Sequence, residues 1–332
     1  MNTPLVSVVV IGRNEGQRLA ACLQSIHAIN PIEGDIELIY VDSMSHDGSP
    51  ALAASLGAKV LCVQPTRPCA AFGRNAGWRA ATAPFILFLD GDTLLHPDFI
   101  QTALSAMADE QIAIVWGHRR ESHPEQSLYN RALDLDWIYA PGITAFCGGD
   151  ALMRRAVLEQ VSGFSEDLIA GEEPELCQRI RATGKFILHI DQAMTLHDLA
   201  MTSFKAYWKR ALRAGHAYAE VSQRMKTTSF PLWGDECKRN AMRASVLLGL
   251  PVAAIILSAS LANELPLVAL LCAYALLILR SAYKARWKSR DVFTLLLYGV
   301  HSHFQQIPIA IGQLGYWLNR LRNKKQDLIE YK

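Results

Sequence analysis

An excess of charge of either sign is missing from this sequence: 33 Lys and Arg stand against 31 Asp and Glu over 332 residues, a formal net charge of +2. A balance that close creates no broad field for a polyanion, so no nucleic-acid partner is expected. Paired cysteine motifs are missing as well. The seven cysteines, at positions 22, 62, 69, 147, 177, 237 and 272, are scattered, odd in number and form no Cys-x-x-Cys. That speaks against a disulfide framework or a thiolate zinc site and fits reduced thiols in a cytoplasmic domain. The first residues lack the basic-then-apolar pattern of a signal peptide. Leu5–Ile11 is a short β-branched run soon followed by charges, and it reads as a strand. No Gly-x-Gly-x-x-Gly follows that strand, which removes the dinucleotide-binding oxidoreductases. Gly12-Arg13-Asn14-Glu15-Gly16 stands there instead. It is too acidic and too short for the phosphate loop of a nucleotidyltransferase. Internal repeats and low-complexity tracts are absent too.

Hydrophobic residues are abundant, at 51% of the chain, and their excess concentrates after residue 243. The first two thirds instead alternates strand and helix patterns. Strands are expected near 5–11, 36–41, 59–64, 84–89, 112–116 and 186–190. Helices are expected near 19–26, 51–56, 73–81, 127–139, 174–183 and 203–224. That alternation implies an α/β fold with a mostly parallel, Rossmann-like sheet covered on both faces. Ligands of such sheets bind at the carboxyl ends of the strands, and Asp42 and Asp90 lie at two such ends.

The expected division is a domain over 1–225, closing on an interfacial helix, and membrane-associated helices over 226–332. The helix at 203–224 interleaves Tyr207, Trp208, Leu212 and Tyr218 with Lys205, Lys209, Arg210 and Arg213, as surface-lying helices do. A hairpin over 244–281 follows, its two runs joined at Asn263-Glu264. Its first run, Ala244–Ala262, carries no charge and approaches the ~20 residues a bilayer requires. A third apolar segment, 292–318, is interrupted by His301, His303, Gln305, Gln306, Pro308 and Gln313. It reads equally as a span, a re-entrant pair or an interfacial helix. Basic clusters at Lys284–Arg290 and Arg320–Lys325 suit the cytoplasmic face of an inner membrane. They put the N-terminal domain in the cytoplasm and make membrane lipids a partner.

The chemistry concentrates in short loops. In Leu89-Asp90-Gly91-Asp92 two carboxylates follow a buried strand and can share a divalent cation with a diphosphate; oxygen ligands suit Mg2+ or Mn2+. The bland reading is a tight turn at Gly91. Asp42 can accept a hydrogen bond from a base or a ribose hydroxyl, whereas Asp47 or Ser49 suits a helix cap. Glu172, Glu173 and Glu175 open a helix, where the dipole alone favours acids.

Taken in order, six segments resemble the inverting glycosyltransferases of family 2. They are Arg13-Asn14-Glu15, Asp42 with Asp47-Gly48-Ser49, Gly73-Arg74-Asn75-Ala76-Gly77, Phe88-Leu89-Asp90-Gly91-Asp92, Cys147-Gly148-Gly149-Asp150 and Gly171-Glu172-Glu173-Pro174-Glu175-Leu176. The resemblance spans roughly residues 5–215 and implies the GT-A fold and a nucleotide-diphosphate sugar donor. It implies that Glu15 and Asp42 contact the nucleoside and that Arg74 lies against the base or diphosphate. Asp90 would sit near ribose and metal, Asp92 would ligate the metal, and His197 would complete metal or diphosphate binding. Gly148 and Gly149 would line the acceptor side. The family's Glu-Asp pair is Glu172-Glu173 here, so Glu173 becomes the base, with Glu172 and Glu175 as alternatives. The Gln-x-x-Arg-Trp of processive members is absent, and Tyr207-Trp208-Lys209-Arg210 occupies a similar region. Transfer of a single sugar to a lipid-linked or saccharide acceptor is therefore expected. The rival from another class is a non-catalytic membrane scaffold that binds nucleotide sugar.

Overall fold

Four consecutive β-branched residues, Val8 to Ile11, need burial on both faces. Val6–Gly12 forms β1, with Val6, Val8, Val9 and Val10 wholly buried, as a central parallel strand requires. The structure is a computed structural model that describes residues 3–67 and 69–324. Two compact units emerge, comprising residues 1–122, 137–199 and 227–232 in the first, and 123–136, 200–226 and 233–332 in the second.

In the first unit, β1 is followed by α1 (Gln17–His27), β2 (Ile36–Asp42), α2 (Ser49–Ser55), β3 (Lys59–Cys62), α3 (Ala70–Ala80) and β4 (Phe85–Asp90). Then come β5 (Thr93–Leu95), α4 (Phe99–Ala106) and β6 (Ile112–Glu121). The second unit takes α5 (Leu128–Asp134) before the first resumes with β7 (Gly142–Thr144), β8 (Ala151–Arg154), α6 (Arg155–Gln160), α7 (Glu172–Arg181) and β9 (Phe186–His197). The sheet order is β3-β2-β1-β4-β8-β6-β9-β5, with β7 on β9. Strands β1 to β4 are parallel, and β8 runs antiparallel to both β4 and β6. The α/β class is as expected, but the sheet is mixed rather than mostly parallel, since β5 and β7 also run antiparallel to β9. Parallel pairing aligns Gly12, Asp42 and Cys62 at one edge, with Asp90 opposite Ile11. The carboxyl ends of β1, β2 and β4 therefore converge.

The second unit adds α8 (Phe204–Met225), α9 (Gly234–Leu261), α10 (Leu265–Lys284), α11 (Val292–Phe304) and α12 (Gln306–Leu321) to α5. The interfacial segment expected to close the first domain thus packs with the C-terminal helices. A Cβ on Gly215 of α8 would lie 2.0 Å from the Ile309 carbonyl of α12, and one on Gly312 of α12 would lie 2.1 Å from the Leu212 carbonyl of α8. Reciprocal glycines let the two backbones touch. Ser203, Ser127 and Asp291 cap α8, α5 and α11 through their side chains. Among the described residues α9 and α10 are the two helices long and apolar enough to cross a membrane. The third apolar segment breaks at Gln305 into α11 and α12. Within the Arg320–Lys325 cluster, Lys325 lies outside the described residues.

Candidate active site

Three loops meet beyond the strand ends of the first unit. After β1, the Asn14 amide donates to Ser45 Oγ at 2.8 Å, and Asn14 Oδ1 accepts from the His46 amide at 2.8 Å. Both loops need a left-handed residue, Asn14 at φ 56° and Met44 at φ 63°, and Asn tolerates that conformation well. The pair of bonds locks the Glu15 loop to the Asp42 loop. Asp42 is buried, with its Oδ1 accepting from Tyr40 Oη at 3.0 Å and its Oδ2 from the Ser45 amide at 2.9 Å. Glu15 pairs with Arg18 at 2.8 Å. The cap expected at Asp47 or Ser49 takes another form: Gly48 is the N-cap of α2, and Asp47 Oδ1 accepts from the Ser49 amide and hydroxyl.

At the end of β4, Asp90 and Asp92 converge with His197, the last residue of β9. One ligand atom from each lies within 4.8 Å of the others. The register that pairs Thr93 with His197 brings the histidine there, and its Nε2 stands 3.3 Å from Asp92 Oδ1. Two carboxylates and one imidazole suit Mn2+, and the set also accepts Mg2+. Asp92 and His197 are buried while Asp90 remains half-exposed, which leaves the donor set one open side.

Arg74, on α3, is the hub. It is 2% exposed. Its Nη1 donates to Glu172 Oε1 at 2.9 Å and pairs with Glu173 Oε1 at 2.9 Å, while its Nη2 donates to Asp90 Oδ1 at 3.0 Å. These acids hold the guanidinium firmly protonated against its burial. Arg74 therefore joins the candidate base directly to the candidate metal ligand, with three carboxylates gathered on its guanidinium. Gly149 makes the approach possible: a Cβ there would lie 2.5 Å from Arg74 Nη2, 3.2 Å from Glu173 Oε1 and 3.3 Å from Asp90 Oδ2. Gly148, beside it, is exposed.

The acidic run divides by environment. Gly171, at φ 84°, starts α7, so Glu172 and Glu173 occupy its first turn. Burial and the neighbouring Glu172 charge raise the Glu173 carboxyl to about 7, against the pull of Arg74. A carboxyl there is poised to exchange a proton near neutrality. Glu175 instead pairs with Arg179 at 2.9 and 2.8 Å and accepts from Ser165 Oγ at 2.9 Å. Its oxygens are spent on holding α7, which argues against the alternative of Glu175 as base.

Three residues of the site went unassigned in the sequence. Asp150 is fully buried; its Oδ1 accepts from the Asp90 amide at 3.1 Å and its Oδ2 from Thr195 Oγ1 at 2.9 Å. It holds β4 against β9. Arg119 brings its Nη2 to 3.5 Å from Asp90 Oδ2 and lies 4.9 Å from the Trp137 ring, which meets His197 edge-on at 5.1 Å. Arg119 follows three register shifts between β6 and β9. Such irregularities re-aim side chains, and strand periodicity cannot foresee them.

A profile of the glycosyl transferase family 2 domain matches residues 7–162. Among relatives, the chain is similar to a putative glycosyltransferase, EpsH, of Bacillus subtilis, with 30% identity over 124 residues, covering 36% of each chain. It is also similar to the glycosyltransferase AglE of Haloferax volcanii, with 20% identity over 229 residues, covering 66% of this chain and 74% of AglE. The chain thus spans about a third of the first relative's length and three quarters of the second's. Among solved structures, the mannosyltransferase PcManGT of Pyrobaculum calidifontis, in complex with GDP-mannose and Mn2+, superposes with a TM-score of 0.66 at 21% identity, covering 95% of this chain and 88% of that one. With the strand-end carboxylates in place on this sheet, residues 7–162 are a glycosyl transferase family 2 domain, carried on the GT-A fold.

Proposed function

We propose that the protein transfers one sugar from a nucleoside diphosphate donor to an acceptor hydroxyl, with inversion, at a membrane surface. The observation that carries this reading is the bridge by Arg74 between Asp90, in the Asp90–Asp92–His197 donor set, and Glu173, the carboxyl raised toward neutrality.

In this reading Asp42 and Glu15 hold the nucleoside from the locked loops after β2 and β1. Asp90, Asp92 and His197 hold Mg2+ or Mn2+, which would neutralise charge on the diphosphate. Glu173 takes the proton of the acceptor hydroxyl as its oxygen bonds to the anomeric carbon and the bond from that carbon to the diphosphate oxygen breaks. One displacement inverts the centre and needs no enzyme nucleophile. Arg74 holds Glu173 and Asp90 in fixed register, and its guanidinium lies against the base or diphosphate of the donor. Gly148, exposed beside Gly149, and Glu172 lie on the acceptor side.

The C-terminal helices support membrane attachment, with α9 and α10 as a hairpin and the catalytic domain in the cytoplasm, on the inner membrane. That favours a lipid-linked acceptor or a polysaccharide precursor. Absence of the processive motif favours single transfer. The AglE and PcManGT similarities point to the same class, and the PcManGT complex makes GDP-mannose with Mn2+ the first donor to try.

The test is a panel of nucleotide diphosphate sugars in detergent with Mg2+, Mn2+ or EDTA, on wild type, Asp92→Asn and Glu173→Gln. One donor should bind with metal, lose affinity in Asp92→Asn, and keep affinity but lose about 10²- to 10⁴-fold in turnover in Glu173→Gln. Full turnover in Glu173→Gln would remove Glu173 as base. Donor binding without turnover in wild type, with a lipid-linked acceptor supplied, would leave a scaffold.

A further inference from the structure

The second unit contains a cleft of about 150 Å³ between α5, α8 and α11. Leu128, Ala132, Phe204, Leu297, Val300 and Phe304 wall it with carbon. Of its three polar-bearing lining residues, Tyr129, Tyr207 and His301, the last two are turned to each other. Tyr207 Oη and His301 Nδ1 lie 2.9 Å apart, and His301 Nε2 lies 3.0 Å from Asp136 Oδ2. With that chain of bonds closed, the cleft has little to offer a polar ligand. An apolar cleft on the order of 150 Å³ favours an apolar guest over a polar one. Yet its mouth leaves Leu128 54% and Phe204 50% exposed, a costly arrangement in water alone.

Two observations identify the occupant. On its other side, α11 presses onto α10, one of the two helices able to cross a membrane. A Cβ on Gly299 would stand 2.6 Å from the Ile278 carbonyl, and His303 Nε2 lies 2.9 Å from Ser281 Oγ. The cleft wall is thus continuous with apolar surface suited to lipid. Along its other wall, α8 carries Lys205, Lys209, Arg210 and Arg213 with no acidic residue before Glu220. Trp208 of α8 packs against Phe204 and Phe304 at 5.6 and 6.1 Å, an aromatic placement typical of the headgroup level.

We propose that this cleft seats one acyl chain of an anionic phospholipid, whose headgroup lies along the cations of α8. The volume admits a segment of one chain, so the second stays in the bilayer. This inference rests on the membrane attachment proposed above, and it is independent of the donor chemistry.

The test uses the full chain in detergent, titrated with phosphatidylglycerol or phosphatidylcholine and read by native mass spectrometry. Wild type should bind one phosphatidylglycerol in preference to phosphatidylcholine. Ala132→Trp, which fills the cleft, should lower occupancy at least tenfold. Leu128→Asp, a change at the exposed mouth and the first turn of α5, should do the same without disturbing the fold, as thermal unfolding would check. Joint replacement of Lys205 and Lys209 by Glu should abolish the preference for the anionic lipid. Equal occupancy in wild type and both cleft variants, or equal binding of the two lipids by wild type, would overturn the proposal. So would displacement of phosphatidylglycerol by a single-chain polyprenyl phosphate at equimolar amount, which would assign the cleft to an acceptor. Metal-dependent donor binding, measured on the same samples, should be unchanged in the cleft variants; its absence in every sample would count against the transferase reading alone.

Discussion

Glu173 and Arg74 set opposite demands on one contact. The base must lose its proton to act, and its folded-state value near 7 lies above the ordinary carboxyl range because of burial and Glu172. Turnover should therefore rise with pH through about 7 and level off above it, and a pH–rate profile at saturating acceptor checks this. A flat profile between pH 5.5 and 8.5 would exclude Glu173 as the titrating base. The sign for stability is the reverse: a raised carboxyl favours the folded state with its proton on, and that contribution is lost as pH climbs from the ordinary range through 7. Arg74 is what makes deprotonation tolerable. Arg74→Met would leave Glu172 and Glu173 facing each other without their cation, with Arg119 alone beside Asp90, a loss on the order of 3 kcal/mol. Arg74→Lys should recover part of it, and denaturant unfolding of the two variants measures the gap. Similar stability of Arg74→Met and wild type would remove Arg74 from its place as hub.

Among elements, α8 and α12 depend on bare backbone at their crossing. Gly312→Leu would drive a side chain into the Leu212 carbonyl, 2.1 Å from the first added carbon, and overpacking of this kind costs about 1–3 kcal/mol or more. The variant should melt several degrees lower, whereas Gly315→Leu on the same helix, where nothing lies within 4 Å of an added Cβ, should be nearly neutral. This level was read unevenly from the sequence. The buried strands β1, β2 and β4 announced themselves by largely apolar runs, broken only by Ser7 and Glu37, that each end at a loop, and their carboxyl ends located Asp42, Asp90 and Asp92. Strand β9 was expected only to Ile190 because Asp191 and Gln192 interrupt its pattern, yet it continues to His197 through pairings with β5 and β6. Arg119 was invisible for a related reason: register shifts are made by tertiary pairing. The fork of Arg74 was equally illegible, since no spacing along α3 tells which acids, 16 and 98 residues away, will reach it.

At the scale of the molecule, the chain passes between its two units five times, at 122, 136, 199, 226 and 232. A cut before α9 therefore does not release a finished catalytic piece. Residues 1–232 would keep α5 and Asp136 but lose His301 and the rest of α11, and α8 would lose α12. That fragment should elute as aggregate or melt far below the full chain in size-exclusion and thermal scans. A monodisperse fragment with the full chain's melting temperature would show that the helical unit adds nothing to the fold. The boundary expected at 225 is the end of the interfacial helix, whereas the compact units divide at 199, 226 and 232, because α8 packs with the C-terminal helices.

The hydrogen bond between Asp136 and His301 closes across 165 residues. At about 5–20 residues per second of synthesis, its second half leaves the ribosome roughly 8–33 s after the first. For that interval α5 has left the ribosome without the helix that covers it, while the strands on either side of it in the chain are already being laid into the sheet. A chaperone or the membrane surface itself has that window in which to hold the helix, and slowing translation between the two positions would lengthen it.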